Sequence, residues 1–241
     1  MPLSALNRDR PEVAVNFAMT WDGRVSTRNR TPAMFSSPLD KRRFLEIRAT
    51  GDAVLVGRRT LEVDRMTMRL PDAELRRARE AAGRCAEPLR VVVSESGRLD
   101  PALPLFSDED GPPRLLFSTE AMPQPTREAL EGRATLHLSP GPQVDLRELL
   151  AILWREHGVR RVVCEGGPTL LASLLVAGCV DEVNLTLCPL IFGGAAAPTL
   201  TGALEDRFLA NTALYRLGKM EEGQGGEWFL QYRRTAPEEA A

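Results

Sequence analysis

Val162-Val163-Cys164-Glu165-Gly166-Gly167-Pro168-Thr169-Leu170-Leu171 is the stretch on which the reading of this fold turns. A short apolar run suited to a buried strand meets two glycines, and a helical segment follows. Glycines let a backbone approach a ligand closely and adopt positive φ. A helix start presents unpaired N–H groups and partial positive charge, which suits a pyrophosphate. The spacing alone fits equally a tight strand-to-helix turn that holds nothing. The GxGxxG fingerprint and the GxxxxGK[ST] loop are both absent, so ordinary Rossmann and P-loop readings lose ground.

Outward from this turn, strand-like runs alternate with helical ones. Strands are expected at 13–18, 53–56, 89–94, 114–118, 134–138, 159–165, 182–188 and 228–232, with a further one at 213–217. Helices are expected from Ser37-Pro38 onward, at 60–64, 74–85, 146–157 and 169–177. Ser37 is a good N-cap and Pro38 suits the first helical position. Leu39, Phe44, Leu45 and Ile47 are expected to form that helix's apolar face. The segment 101–113 reads as a surface loop. The pattern predicts an α/β fold: one domain, with a mainly parallel twisted sheet, helices on both faces and additional C-terminal strands. Residues 1–10 read as a tail, 11–234 as the domain and 235–241 as a disordered tail.

Composition narrows the function. The chain has 241 residues, 43% hydrophobic and 27% charged, ordinary values for a soluble globular protein. Its net charge of −2, from 31 Lys+Arg against 33 Asp+Glu, gives no global basic field for nucleic acid or a membrane surface. No apolar run is long enough for a spanning helix, and 1–10 lacks a signal-peptide core. Cys85, Cys164, Cys179 and Cys188 form no metal-type spacing, and with His137 and His157 as the only histidines no metal site is expected. A reducing cytoplasm suits four unpaired thiols.

Two further constellations carry chemistry. Val54-Leu55-Val56-Gly57-Arg58-Arg59-Thr60, with Asp64 beyond, again sets a glycine at the carboxyl end of a strand, where open α/β sheets collect ligands. Arg58 and Arg59 suit a 2′-phosphate, or stand as solvated cations. Asn16-Phe17-Ala18-Met19-Thr20-Trp21-Asp22-Gly23-Arg24 reads as a strand and turn.

In this order the segments resemble the reductase domain of the bifunctional riboflavin-biosynthesis deaminase/reductase and the stand-alone pyrimidine reductases. The resemblance is carried by Ala18-Met19 to Asp22-Gly23-Arg24, by Ser37-Pro38 leading to Ile47-Arg48-Ala49, and by Gly57 through Thr60 to Asp64. Thr67-Met68-Arg69, Glu165 to Leu170 and Leu190-Ile191-Phe192-Gly193-Gly194 complete it. It implies a dihydrofolate-reductase-like fold, NADPH as hydride donor, a homodimer, and a phosphorylated small-molecule substrate whose ribosyl group becomes ribityl. Carried over, Ala18, Gly57, Thr60, Asp64, Ser94, Gly166, Gly167, Pro168, Thr169 and Leu170 would contact the cofactor. Thr31, Arg48, Arg69 and Glu165 would hold the substrate, with Glu165 also the catalytic candidate. The sequence departs from the family at 30–36, where Thr31 would replace a hydroxyl and Met34 or Phe35 a ring, and at Asp64-Arg65-Met66. Two other readings stand beside this one: a reductase of another pterin-, folate- or flavin-related compound, and a non-catalytic nucleotide-binding module.

Overall fold

The computed structural model describes residues 9–27, 29, 35–202 and 215–235. Thr31, Met34, Ala213, Leu214 and most of both expected tails lie outside the described residues.

Among the described residues nine strands form one sheet: β1 (Glu12–Thr20), β2 (Ala53–Gly57), β3 (Leu89–Ser94), β4 (Arg114–Thr119), β5 (Thr135–Ser139), β6 (Arg161–Cys164), β7 (Glu182–Cys188), β8 (Tyr215–Glu222) and β9 (Trp228–Arg234). Seven α-helices among the described residues accompany them: α1 (Pro38–Thr50), α2 (Arg58–Asp64), α3 (Ala73–Ala81), α4 (Pro104–Ser107), α5 (Gln124–Leu130), α6 (Leu146–Arg155) and α7 (Pro168–Val176). The strand order is β5-β4-β3-β2-β6-β1-β7-β9-β8. The first seven strands in that row pair in parallel, and β9 and β8 add antiparallel. β6 enters late between β2 and β1, so its carboxyl end meets theirs where the winding reverses.

Burial on both faces explains why the central strands are continuously apolar. Leu55 joins one core with Val13 and Val15 of β1, Leu149 and Leu153 of α6, and Leu171 and Leu174 of α7. Its neighbours Val54 and Val56 point the other way, to Leu61, Leu105, Phe106 and Leu130 from α2, α4 and α5. Each fully buried Leu or Val in these layers contributes roughly 1.5–3 kcal/mol.

Two expectations are corrected. The inward face of α1 is polar: its buried residues are Asp40, Arg48 and Ala49, while Leu39 is 44% exposed. That face borders a cleft, where polar groups find work that a core cannot offer. The segment 101–113 is not simply a surface loop, because it folds into α4 and buries Leu103, Leu105 and Phe106.

Candidate active site

A cleft of about 1410 Å³ opens at the carboxyl ends of β1, β2, β3 and β6. Its floor is the turn from β6 into α7. Gly57 N–H donates to Gly166 O at 2.7 Å, and Glu165 N–H donates to Leu55 O at 3.0 Å, so the ends of β2 and β6 are stitched together. Gly166 has φ +122, which a side chain would strain, and a Cβ on Gly167 would sit 2.8 Å from Thr60 Oγ1. The Gly166–Gly167 peptide is cis. Gly167 is the N-cap of α7 and no side chain caps the helix; Pro168 has no N–H, so the first amides of the helix are those of Thr169 and Leu170, both of which line the cleft.

Ala18, Gly57, Thr60, Asp64, Ser94, Glu165, Gly166, Gly167, Pro168, Thr169 and Leu170 all line this one cleft, although they span three-fifths of the chain. Asp64, at the end of α2, has its carboxyl raised above the ordinary value by burial against the cleft wall. Ser94 is buried, its hydroxyl accepting from Gly97 N–H at 3.1 Å. Cys164, just before the turn, is wholly buried. Burial pushes its thiol up to about 12, with the Gly166 amide opposing.

Glu165 is tightly constrained. Its side chain is 0% exposed, and both oxygens accept from Arg48, Nε to Oε1 and Nη2 to Oε2, each at 2.7 Å. The same guanidinium lies over the Phe44 ring at 4.7 Å and donates through Nη1 to Arg69 O. A fork-to-fork pair of this kind fixes both partners.

The arginines do not stand as the sequence suggested. Arg48 faces Glu165 from behind and is itself buried, rather than lining the cleft. Arg69 lies outside the cleft, with Nη2 2.7 Å from Glu87 and Nη1 3.0 Å from Asp108. Burial alone would raise Asp108, but hydrogen bonds from Arg69 and Arg90 outweigh it and hold its carboxyl below the ordinary value. A shared phosphate fork of Arg48 and Arg69 is therefore not how these side chains are placed, because carboxylates of the chain already occupy both.

Sequence reasoning missed Asp40, Lys41 and Phe44, which α1 brings to the cleft, and the segment from Gln143 to Arg147 before α6. A signal for the first group was present: Asp40, Phe44 and Arg48 recur at i, i+4 and i+8, one stripe of a helix. The turn expected from Asp22-Gly23 serves the fold. Asp22 accepts from Phe192 N–H at 3.2 Å and Gly193 N–H at 2.7 Å, tying the end of β1 to the Leu190–Gly194 segment.

This sheet order and this cleft define an α/β protein of the pyrimidine reductase fold. A pyrimidine reductase-like protein from Corynebacterium diphtheriae superposes with a TM-score of 0.79 at 19% identity, covering 94% of this chain and 92% of that one. The chain belongs to the RibD C-terminal domain family, whose family model matches residues 11–221. Among curated relatives, the 2,5-diamino-6-ribosylamino-4(3H)-pyrimidinone 5′-phosphate reductase of Archaeoglobus fulgidus is 32% identical over 214 residues, 89% of this chain and 95% of that protein. The like-named reductase of Methanothermobacter thermautotrophicus is 36% identical over 193 residues, 79% of this chain and 83% of that protein.

Proposed function

We propose that this protein is an NADPH-dependent reductase of riboflavin biosynthesis that converts the ribosyl group of a phosphoribosylaminopyrimidine into a ribityl chain. The observation that carries the reading is Glu165, locked by Arg48 beside the Gly166-Gly167 cradle, in a chain whose relatives from Archaeoglobus fulgidus and Methanothermobacter thermautotrophicus bear that reductase name.

The residues present fit a dinucleotide. The double glycine leaves room that a Cβ would close against Thr60, and an uncapped helix start points at the gap. Thr60, Gly166, Gly167 and Thr169 would hold the pyrophosphate, and Ser94 and Asp64 line the adjoining wall. Arg59 lines the cleft and suits a 2′-phosphate, whereas Arg58 pairs with Glu62 at 2.7 Å. When bound, the cofactor supplies the hydride that reduces C1 of the opened sugar. Glu165 does the positioning. Its side chain is shut off from solvent by Arg48, so it acts by fixing the turn that joins β6 to α7, which sets the place of the opened sugar beside the cradle. With both oxygens committed to Arg48, Glu165 is an acceptor, and the proton that completes the reduction comes from water. For the sugar phosphate, Arg69 is the mobile candidate: it is one-third exposed, so it can leave Glu87 and Asp108 for a stronger anion.

A homodimer belongs to this reading. Trp21, Leu190, Ile191, Leu217, Met220 and Trp228 are exposed apolar side chains on β8, β9 and the segments that follow β1 and β7, and light scattering of the purified chain tests whether they pair. No described helix is long and apolar enough to cross a membrane, and a cytoplasmic setting completes the proposal.

The test is NADPH oxidation followed at 340 nm with 2,5-diamino-6-ribosylamino-4(3H)-pyrimidinone 5′-phosphate. Turnover is expected. Saturable NADPH binding without turnover of the aminated compound or its deaminated counterpart would move the substrate to another pterin-, folate- or flavin-related compound. Absence of saturable NADPH binding would remove the reductase reading altogether.

A further inference from the structure

Asp40 is a buried carboxylate to which the proposed reaction assigns no task. It sits in the first turn of α1, lines the cleft and is 9% exposed. Its backbone N–H donates to Ser37 Oγ at 3.1 Å, and its Oδ1 accepts from the Thr186 hydroxyl of β7 at 2.5 Å. Oδ2 has no hydrogen-bond partner among the described residues. Two cations stand near. Lys41 is exposed at the rim, and Arg43 donates to Thr186 Oγ1 at 3.4 Å while lying over the Phe229 ring at 4.9 Å. The neighbouring buried acid, Glu227, is already occupied by the N–H and hydroxyl of Ser37.

A mostly buried carboxylate whose second oxygen opens on the cleft favours a ligand that brings donors to its vacant lone pairs. Adjacent N–H groups that present a two-pronged edge satisfy it best. A 2-amino-4(3H)-pyrimidinone ring has such an edge, with N3–H beside the exocyclic 2-amino group. We propose that Asp40, steadied by Thr186, receives this edge and thereby selects the 2-amino ring over its 2-oxo counterpart. The inference rests on the reading of the substrate as a phosphoribosylaminopyrimidine and assigns the residue that reads its base.

Position supports the assignment. Asp40 and Arg48 are eight residues apart on one helix, about 12 Å along its axis. The ring can thus be held at Asp40 while its sugar reaches the turn at Glu165–Gly167, which Arg48 fixes at the other end. Phe44 lies between them on the same stripe and lines the cleft, offering an apolar surface to the ring's flank. In the 2-oxo compound the second donor becomes a carbonyl oxygen, which meets a carboxylate oxygen with no proton between them. A site built to receive a donor rejects the analogue lacking it far more strongly than an apolar pocket would. The expected discrimination is about 100-fold in kcat/KM.

The experiment compares the diamino substrate with its 2-oxo counterpart, each with NADPH, for the wild-type chain, Asp40→Asn, Thr186→Val and Thr186→Ser. Wild type is expected to prefer the diamino compound by about 100-fold. Asp40→Asn, whose amide offers one acceptor and one donor, is expected to reduce that preference to tenfold or less, with NADPH titration as the check on its fold. Should that variant not fold, Thr186→Val is expected to weaken the preference and Thr186→Ser to retain it, a pattern that a merely structural hydroxyl would not give. Equal use of both compounds by wild type, or an undiminished preference in Asp40→Asn, would overturn the assignment while leaving the reductase standing. Turnover of neither compound by wild type would overturn the proposed substrate, and this inference with it.

Discussion

Replacing Arg48 with methionine separates two roles that a buried arginine near a phosphate site can play. In the structure Arg48 and Glu165 are 6% and 0% exposed at their side chains and share two hydrogen bonds of 2.7 Å. Arg48→Met leaves the Glu165 carboxylate buried without a partner. Breaking such a pair from one side costs about 3–5 kcal/mol. The lesser losses point the same way but are smaller. The stacking over Phe44 contributes roughly 0.5–2 kcal/mol, and methionine retains part of that contact as plain packing. Removing the bond to Arg69 O costs about 1 kcal/mol net. For a domain of this size 1 kcal/mol shifts the melting temperature by roughly 2–4 °C. Arg48→Met is therefore expected to melt about 6–20 °C below wild type.

The decisive arm is the double variant. Arg48→Met with Glu165→Leu replaces an ion pair by apolar groups of similar size, a change that is often neutral or stabilising. The double variant should regain most of the lost stability and have no reductase activity, with a coupling free energy of about 2 kcal/mol or more between the sites. Urea unfolding followed by circular dichroism measures it. A loss below about 1 kcal/mol in Arg48→Met, or a double variant as unstable as the two single losses added together, would refute the reasoning. It would then place Arg48 in solvent contact, free to serve as a phosphate receptor.

Other consequences follow from the same geometry. Arg69→Ala should raise KM for the phosphorylated substrate about tenfold, the loss of one charge-assisted contact, with kcat little changed. An unchanged KM would confine Arg69 to its partners Glu87 and Asp108. Gly167→Ala sets a methyl 2.8 Å from Thr60 Oγ1, and displacing that side chain should weaken NADPH binding about tenfold, measured by fluorescence titration; an unchanged Kd would show that the cofactor does not lie in this cradle. Thiol labelling at pH 8 should modify only exposed Cys85 quickly. Cys164 and Cys188 are pushed up to about 12 by burial, so only about one in ten thousand is thiolate at that pH. Both lose that protection on unfolding, and rapid labelling of either in the native protein would contradict the packing of β6 or β7.

The parts of this fold that were legible are those whose partners are nonspecific. β2, β3, β4 and β6 are buried on both faces, so any apolar side chain serves, and the need shows as unbroken runs such as Ala53–Val56. β8 was harder to read: Tyr-Arg-Leu-Gly-Lys-Met-Glu-Glu lies largely in solvent, and its pairing to β9 asks nothing of the pattern except tolerance of an extended backbone. α1 misled for the opposite reason. Amphipathic reasoning turns apolar residues inward because it assumes that inside means core, but the inside of α1 borders a cleft, and Asp40 and Arg48 turn in instead. The site divides in the same way. Gly166 and Gly167 announce themselves because only glycine fits a positive φ and a close approach. An arginine announces only its charge. Arg48 meets a carboxylate 117 residues away and Arg69 meets two others, pairings set by how β6 and the 101–113 segment are placed in space. Local sequence identifies residues able to bind an anion, and the fold decides whether the anion is a ligand or the protein's own carboxylate.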